Sequence, residues 1–490
     1  MSSVVGWPRD ATTSLIRSGM PKLSGFASVP IPGGKPVPLL GVLPRVLQFF
    51  ADPIARLAAL REHGDVAALV AGNPAMVCAF GPERTKEVLT NPSGFRHDED
   101  FITGPPGSAL HKLSKVLVSI NGELHKRHRK LLTPAFSKAA LERYASGTVQ
   151  ICEAMLERWP IGKVADLDVL TRNLALVVAM RSLFGLDLQT GADELGTLAV
   201  ELVDTITRPL TIVVPRDLPG LPYRRAQRLG DRMVVELERL IAAKRATPGG
   251  DDALSLLIHA CDDEGGLSDD ELIGETLTLF IAGHETTAKT LTWTLFLLER
   301  HPAVLKDLLD ELDAVIGGRS VTLADLPELP LLDRVIKESM RVLTPVPILF
   351  LRVPSSDMPL GRFMLPQGAN VVISPHATHH DPALYREPER FDPDRWTQLK
   401  PTPFEYLPFG AGPRMCIGAA LAQQMLRLVL ATVLQRVRMS VVRGADVSRL
   451  VRGNILMPRR GIPVHLDAPH RNALVVEPIR GDIHELVRLS

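Results

Sequence analysis

Cys416 lies in the stretch Phe409-Gly410-Ala411-Gly412-Pro413-Arg414-Met415-Cys416-Ile417-Gly418. The glycines let backbone approach a flat ligand closely. The apolar run from Ala419 to Val437 reads as a helix. Its first turn would aim unpaired N–H groups and a positive dipole end at the sulfur. Such surroundings favour thiolate over thiol, and an open thiolate is what a haem iron takes as an axial ligand. The competing reading is a small buried cysteine in a turn, the usual place of a free cysteine. A second group with chemical potential is Ala282-Gly283-His284-Glu285-Thr286-Thr287, small and polar residues inside an apolar helical run. Glu285 is an acid and Thr286 an alcohol. Gly283 leaves room for a flat ligand or dioxygen at the backbone. The Thr286 hydroxyl can compete for a backbone carbonyl and open a local groove.

The pattern Phe-x-x-Gly-x-Arg-x-Cys-x-Gly resembles the haem-thiolate signature of the cytochrome P450 family. The segment around Glu285–Thr286 resembles the acid–alcohol pair on that family's central helix. The resemblance spans residues 30 to 468, with the motifs in the family's order. It implies a mainly α fold with a smaller β-rich portion, built around a long central helix. It also implies haem b bound through Cys416, O2 as co-substrate, and insertion of one oxygen atom into a lipophilic small molecule by hydroxylation or epoxidation. Secondary metabolism is the implied setting. Thr286 would hold oxygen or a water, and Glu285 would relay protons. By the same resemblance His125, Arg129, Arg352 and Arg414 contact the haem propionates. Glu338, Arg341 and Arg390 form a buried triad that pins the loop leading to Cys416. Phe101, Phe280, Ala282, Val346, Leu349 and Leu456 line an apolar substrate pocket opposite the cysteine. Rival readings are a peroxygenase, isomerase or dehydratase on the same fold, and a non-catalytic haem sensor. The intact Glu285–Thr286 pair argues against the first group, and an open sixth position beside that pair argues against a sensor.

The elements that must position these groups are legible in part. Ser268-Asp269-Asp270-Glu271 is a capping box, and Leu267 with Leu272 can staple the helix entry. The helix then runs to Arg300, where His301-Pro302 stops it. Its length is about 48 Å at 1.5 Å per residue, enough to cross a whole domain. His125 and Arg129 stand four apart and share a helical face. Glu338 and Arg341 do the same three apart within the helical stretch Leu331 to Leu343. Val66–Val70 and Ala75–Phe80 read as short strands joined by a turn at Asn73-Pro74. Residues 1–30 are expected to be irregular and 31–468 to form one catalytic domain. Residues 469–490 are an extension without an assignable role.

Composition narrows the rest. The chain has 490 residues and a formal net charge of +1, so no general attraction to nucleic acid or an anionic membrane is expected. The four cysteines are too widely spaced for a disulfide framework or a zinc site. With no secretory signal and no run of about 20 apolar residues, a cytoplasmic monomer without a transmembrane segment is expected. No Gly-x-Gly-x-x-Gly occurs, so NAD(P)H would act only indirectly, through a reductase and a ferredoxin or flavodoxin. Lys126, Arg127 and Lys130 offer a basic docking face for such an acidic partner.

Overall fold

The computed structural model describes residues 30–35, 43–98, 104–186, 192–206, 208, 210–211, 214–247, 249–470 and 476–489. Residues 1–29 and Phe101 therefore lie outside the described residues. Helices dominate. Those that build the site are α1 (Ala109–Ser114), α2 (Gly122–Leu132), α3 (Leu167–Phe184) and α4 (Asp269–Arg300), followed by α5 (Pro330–Val342), α6 (Pro375–His379) and α7 (Ala419–Arg436).

The central helix α4 begins as its sequence dictates. The Ser268 hydroxyl accepts from Glu271 N–H, and the Glu271 carboxylate accepts from Ser268 N–H. The acidic first turn complements the helix dipole. From Thr287 to Arg300 every residue is buried, so this half is enclosed on all sides. Its main neighbour is α3, with α7 and α5 against other faces. Gly283 belongs to the α3 contact: a Cβ there would meet Leu183 Cδ1 at 2.5 Å. Its lack of a side chain serves helix–helix approach and not, as the sequence suggested, access for a flat ligand.

A five-stranded sheet flanks the helices. Its order is β1 (Val66–Val70), β2 (Asn73–Ala79), β5 (Asn370–Ile373), β4 (Arg352–Pro354) and β3 (Phe95–His97). The β1–β2 turn is Ala71-Gly72, with Gly72 at φ +74°. Asn73-Pro74 instead opens β2, where the Asn73 side chain accepts from Ala75 N–H. The positive φ demanded by a two-residue hairpin loop falls on the glycine, as it should. The β3–β4 register sets His97 opposite Arg352, a pairing that matters for the site.

The last residues are part of this body. Ile483 and Val487 are fully buried and join the main hydrophobic core. Arg488 N–H donates to Glu389 O at 2.7 Å, and its guanidinium pairs with Glu387 at 3.0 Å. His380 Nε2 meets Leu486 O at 3.1 Å. The extension thus straps the segment 387–390, which the site uses. Among the described residues no helix is long and apolar enough to cross a membrane.

Ile483→Ala should destabilise the protein by about 2–5 kcal/mol, as for other buried large-to-small changes. A lower midpoint in urea denaturation, read by far-ultraviolet circular dichroism, checks this.

Candidate functional site

The Cys416 loop is shaped by two left-handed glycines, Gly410 (φ +68°) and Gly412 (φ +72°). A Cβ on Gly412 would strike Leu89 O at 2.4 Å, so the loop can pass the end of the helix Gly81–Leu89 only with glycine. Cys416 N–H donates to Phe409 O at 2.9 Å, closing the turn. Gly418 N–H, at the start of α7, bonds to the sulfur. Cys416 keeps an exposed side. Even so, burial pushes its thiol above the ordinary value; the Gly418 bond and the Arg129 guanidinium pull it back only in part. The protein alone therefore does not make the thiolate that the helix dipole suggested. A bound metal cation would, because coordination deprotonates a thiol outright.

Behind the loop lies a buried ion network centred on Glu338. Arg341 meets it bidentately, Nε to Oε2 and Nη2 to Oε1, each at 2.9 Å. The third member is Arg395, whose Nε donates to Oε1 at 2.8 Å. Arg390, expected in that place, has a side chain 55% exposed and paired with Glu387. The reason is local. Asp392 caps a short 3-10 turn, Pro393–Thr397, that swings Arg395 and Trp396 inward. Trp396 Nε1 reaches Glu338 Oε2 at 2.9 Å. Arg390 contributes its carbonyl instead, accepting from Arg341 at 3.0 Å and Arg395 at 3.1 Å. Arg341 also donates to the carbonyls of His379 and Pro388. From there the order passes on: His379 Nε2 accepts from Leu407 N–H at 2.8 Å, and Gly410 N–H donates to Leu407 O at 3.0 Å. His379 is held neutral, its pKa driven well down by burial and by Arg341.

The four residues expected at the propionates share a neighbourhood with a fifth that the sequence did not reveal. His97 is buried, and its Nε2 has no partner among the described residues. Burial, then Arg352, Arg414 and His125, push its pKa down to about 2. His125 is pushed down to about 4, by burial and then by Arg414 and Arg129. Burial and the Arg414 charge bring Arg352 down to about 9. Asn121, just before α2, ties this group together. Its Oδ1 accepts from His97 N–H at 3.0 Å and from Arg414 Nη2 at 2.8 Å. Arg129 differs in aim: its Nη1 donates to Met415 O at 2.9 Å, beside the sulfur. Mutually repelling donors held together this tightly suit a dianion. Joined to one soft sulfur ligand, they fit an iron porphyrin with two carboxylates. Only the cross-strand register exposed His97, and no single-strand pattern could have found it.

Across the site, Thr286 Oγ1 donates to Ala282 O at 2.9 Å, and the helix stays continuous. Glu285 Oε1 is held by Lys289 at 3.2 Å, and Lys289 is clamped by both Asp168 oxygens at 2.8 Å. Glu285 Oε2 is buried with no hydrogen-bond partner among the described residues, His284 Nε2 standing 3.7 Å away. Of the expected pocket residues, Ala282 is exposed and Val346 and Leu349 are partly so. Phe280 and Leu456 are not available. Phe280 is packed between Phe184 and His284, and Leu456 is fully buried, its carbonyl taken by Trp293. The basic face is also reduced. Arg127 is held by Asp262 and Glu264 and by the carbonyls of Gly265 and Gly266. Lys126 and Lys130 remain exposed, Lys126 paired with Glu123 at 2.6 Å.

A profile of the family "Cytochrome P450" matches residues 31–466. Cyclooctatin synthase of Streptomyces melanosporofaciens is 34% identical over 85% of this chain and 91% of its own. Pentalenene oxygenase of Streptomyces avermitilis is 32% identical over 89% of this chain and 96% of its own. Among solved structures, the retinoic acid bound cyanobacterial CYP120A1 superposes with a TM-score of 0.77. It is 26% identical, over 90% of this chain and all of that one.

Removing one partner of the buried network leaves a charge uncompensated. Glu338→Ala and Arg395→Ala should each cost about 3–5 kcal/mol. Arg390→Ala, at an exposed pair, should cost under about 1 kcal/mol. Denaturant titration of the three variants distinguishes the two arginines.

Proposed function

Because this chain belongs to the cytochrome P450 family and is a haem-dependent monooxygenase using O2, we propose that it oxidises a lipophilic cyclic terpenoid, with Cys416 as the haem ligand. The observation that carries the reading is the Cys416 loop itself, an open sulfur on a glycine turn with Gly418 N–H and Arg129 beside it. The substrate class rests on relatives named cyclooctatin synthase, pentalenene oxygenase and cyclooctat-9-en-7-ol 5-monooxygenase. The apolar residues that keep accessible surface, Ala282, Val346 and Leu349, suit such a substrate.

When bound, the haem supplies O2 activation and O–O cleavage, which thiolate ligation favours. The chain's own residues do the rest. His97, His125, Arg352 and Arg414 would hold the propionates, with Arg129 bracing the loop beside the sulfur. The Glu338 network would keep that loop fixed through His379 and Leu407. Thr286 would present its hydroxyl by leaving the Ala282 carbonyl. Glu285 would move protons through Oε2, the oxygen Lys289 does not hold. Electrons would come from NAD(P)H through a separate ferredoxin or flavodoxin, docking where Lys126 and Lys130 stand exposed. Arg127 takes no part there, since acidic and carbonyl groups of its own chain already occupy it.

The reduced, CO-treated protein should show the strongly red-shifted Soret band of thiolate ligation, and Cys416→Ser should abolish it. With a ferredoxin, its reductase, NADPH and ¹⁸O2, a panel of cyclic terpene hydrocarbons and alcohols should yield a product carrying one ¹⁸O atom. A normal red-shifted band in Cys416→Ser would overturn the ligand assignment. Absence of any labelled product across the panel would overturn the substrate class. Thr286→Val should keep the CO spectrum but divert electrons to hydrogen peroxide. The ratio of peroxide to NADPH consumed measures that.

A further inference from the structure

Between the first half of α4 and the haem edge lies a buried acid with no part in the chemistry above. Glu275 is fully buried. Its Oε1 accepts from Leu117 N–H at 2.7 Å and meets His128 Nδ1 at 2.8 Å. His128 is also fully buried, and its Nε2 faces Glu271 Oε1 at 3.1 Å. An acid faces each ring nitrogen, and against the effect of burial the hydrogen bonds to Glu275 and Glu271 raise the His128 pKa, which favours an imidazolium donating through both nitrogens. The pair joins three segments. Glu271 and Glu275 are on α4, His128 is on α2 between His125 and Arg129, and Leu117 ends the stretch leading from α1.

The Leu117 peptide is used at both ends. Its N–H goes to Glu275, and its carbonyl accepts from Arg414 Nη1 at 3.1 Å. The other arm of Arg414, Nη2, goes to Asn121 Oδ1 at 2.8 Å. The two peptide planes that meet at Leu117 Cα therefore link the position of Glu275 to the guanidinium of Arg414, within the Cys416 loop itself. The backbone leaves it little freedom. Gly274 lies so close to this stretch that a Cβ would meet Val116 Cγ1 at 2.9 Å and Lys112 O at 3.1 Å. Lys112 pairs with Asp270 at 2.8 Å.

We propose that Glu275, charge-matched by His128, is a positioning residue for the haem edge: it fixes the backbone at Leu117, and that backbone aims Arg414. The proposal rests on the reading of Arg414 as a propionate partner. A carboxylate is needed because a buried imidazolium without a counter-ion is costly. The acceptor is needed because the Leu117 N–H would otherwise be buried unpaired. Groups that stand behind a cofactor contact in this way typically tune affinity 10- to 100-fold.

The test is a double-mutant cycle on the holoprotein, reading the rate of haem transfer to an apo-globin acceptor. Far-ultraviolet circular dichroism controls for folding. Arg414→Ala and Glu275→Leu should each speed haem loss by about 10-fold or more. The double variant should lose haem no faster than Arg414→Ala alone, since Glu275 acts through Arg414. Glu275→Gln keeps an acceptor for Leu117 N–H but loses the charge facing His128, so it should lose haem faster than wild type and more slowly than Glu275→Leu; it serves if the leucine variant does not fold. Unchanged haem loss in Arg414→Ala would remove the propionate reading, and the proposal with it. Fast loss in Arg414→Ala beside wild-type retention in Glu275→Leu, or additive effects in the double variant, would overturn the proposal alone. Loss in Glu275→Gln as fast as in Glu275→Leu would overturn the hydrogen-bond route.

Discussion

Glu338 is the charge on which the rest of the site leans. It is fully buried, and isolated burial of a carboxylate is prohibitive. Every acceptor position it offers is filled, by Arg341, Arg395, Trp396 and the Asp392 N–H. The arginines in turn spend their remaining N–H groups on carbonyls of His379, Pro388, Arg386 and Arg390. A network satisfied at every member is rigid, because moving one group orphans several. That rigidity reaches the Cys416 loop by two hydrogen bonds, His379 to Leu407 and Leu407 to Gly410. The extension beyond residue 475 adds a strap on the outside of the same segment through Glu387 and Glu389.

The electrostatics of the site follow a single theme of charge held in waiting. Burial depresses His97, His125 and Arg352, and the charge of Arg414 depresses all three further. Such a group is unfavourable by itself and becomes favourable around an anion. The sulfur shows the matching bias, since burial holds Cys416 toward the thiol until a cation arrives. The protein is arranged for a cofactor that brings both an iron and two carboxylates.

On α4 the polar residues divide their tasks. Gly283 admits Leu183, Thr286 bonds within the helix, and Glu285 leans on Lys289 rather than on the open side. Glu275, about three turns earlier, belongs to the haem edge through Leu117. The helix therefore acts as a beam that carries both the acid–alcohol pair and the support for the cofactor's rim.

The sequence by itself determined the local features, because those depend on neighbours in the chain. The Cys416 loop, the Ser268 capping box, the bounds of the central helix and the Glu338–Arg341 pair are all written within a few residues of themselves. What it could not determine were choices made across the chain. Arg395 rather than Arg390 completes the network because the turn at Asp392–Pro393 reverses the direction of the side chains. His97, a neutral imidazole, joins the arginines because strand register sets it opposite Arg352. Gly283, Phe280, Leu456 and Arg127 were each claimed by a packing partner distant in sequence. Motif spacing encodes which residues can do chemistry. Only the tertiary structure decides which face a residue turns to the site, because burial and pairing are settled between segments far apart in the chain.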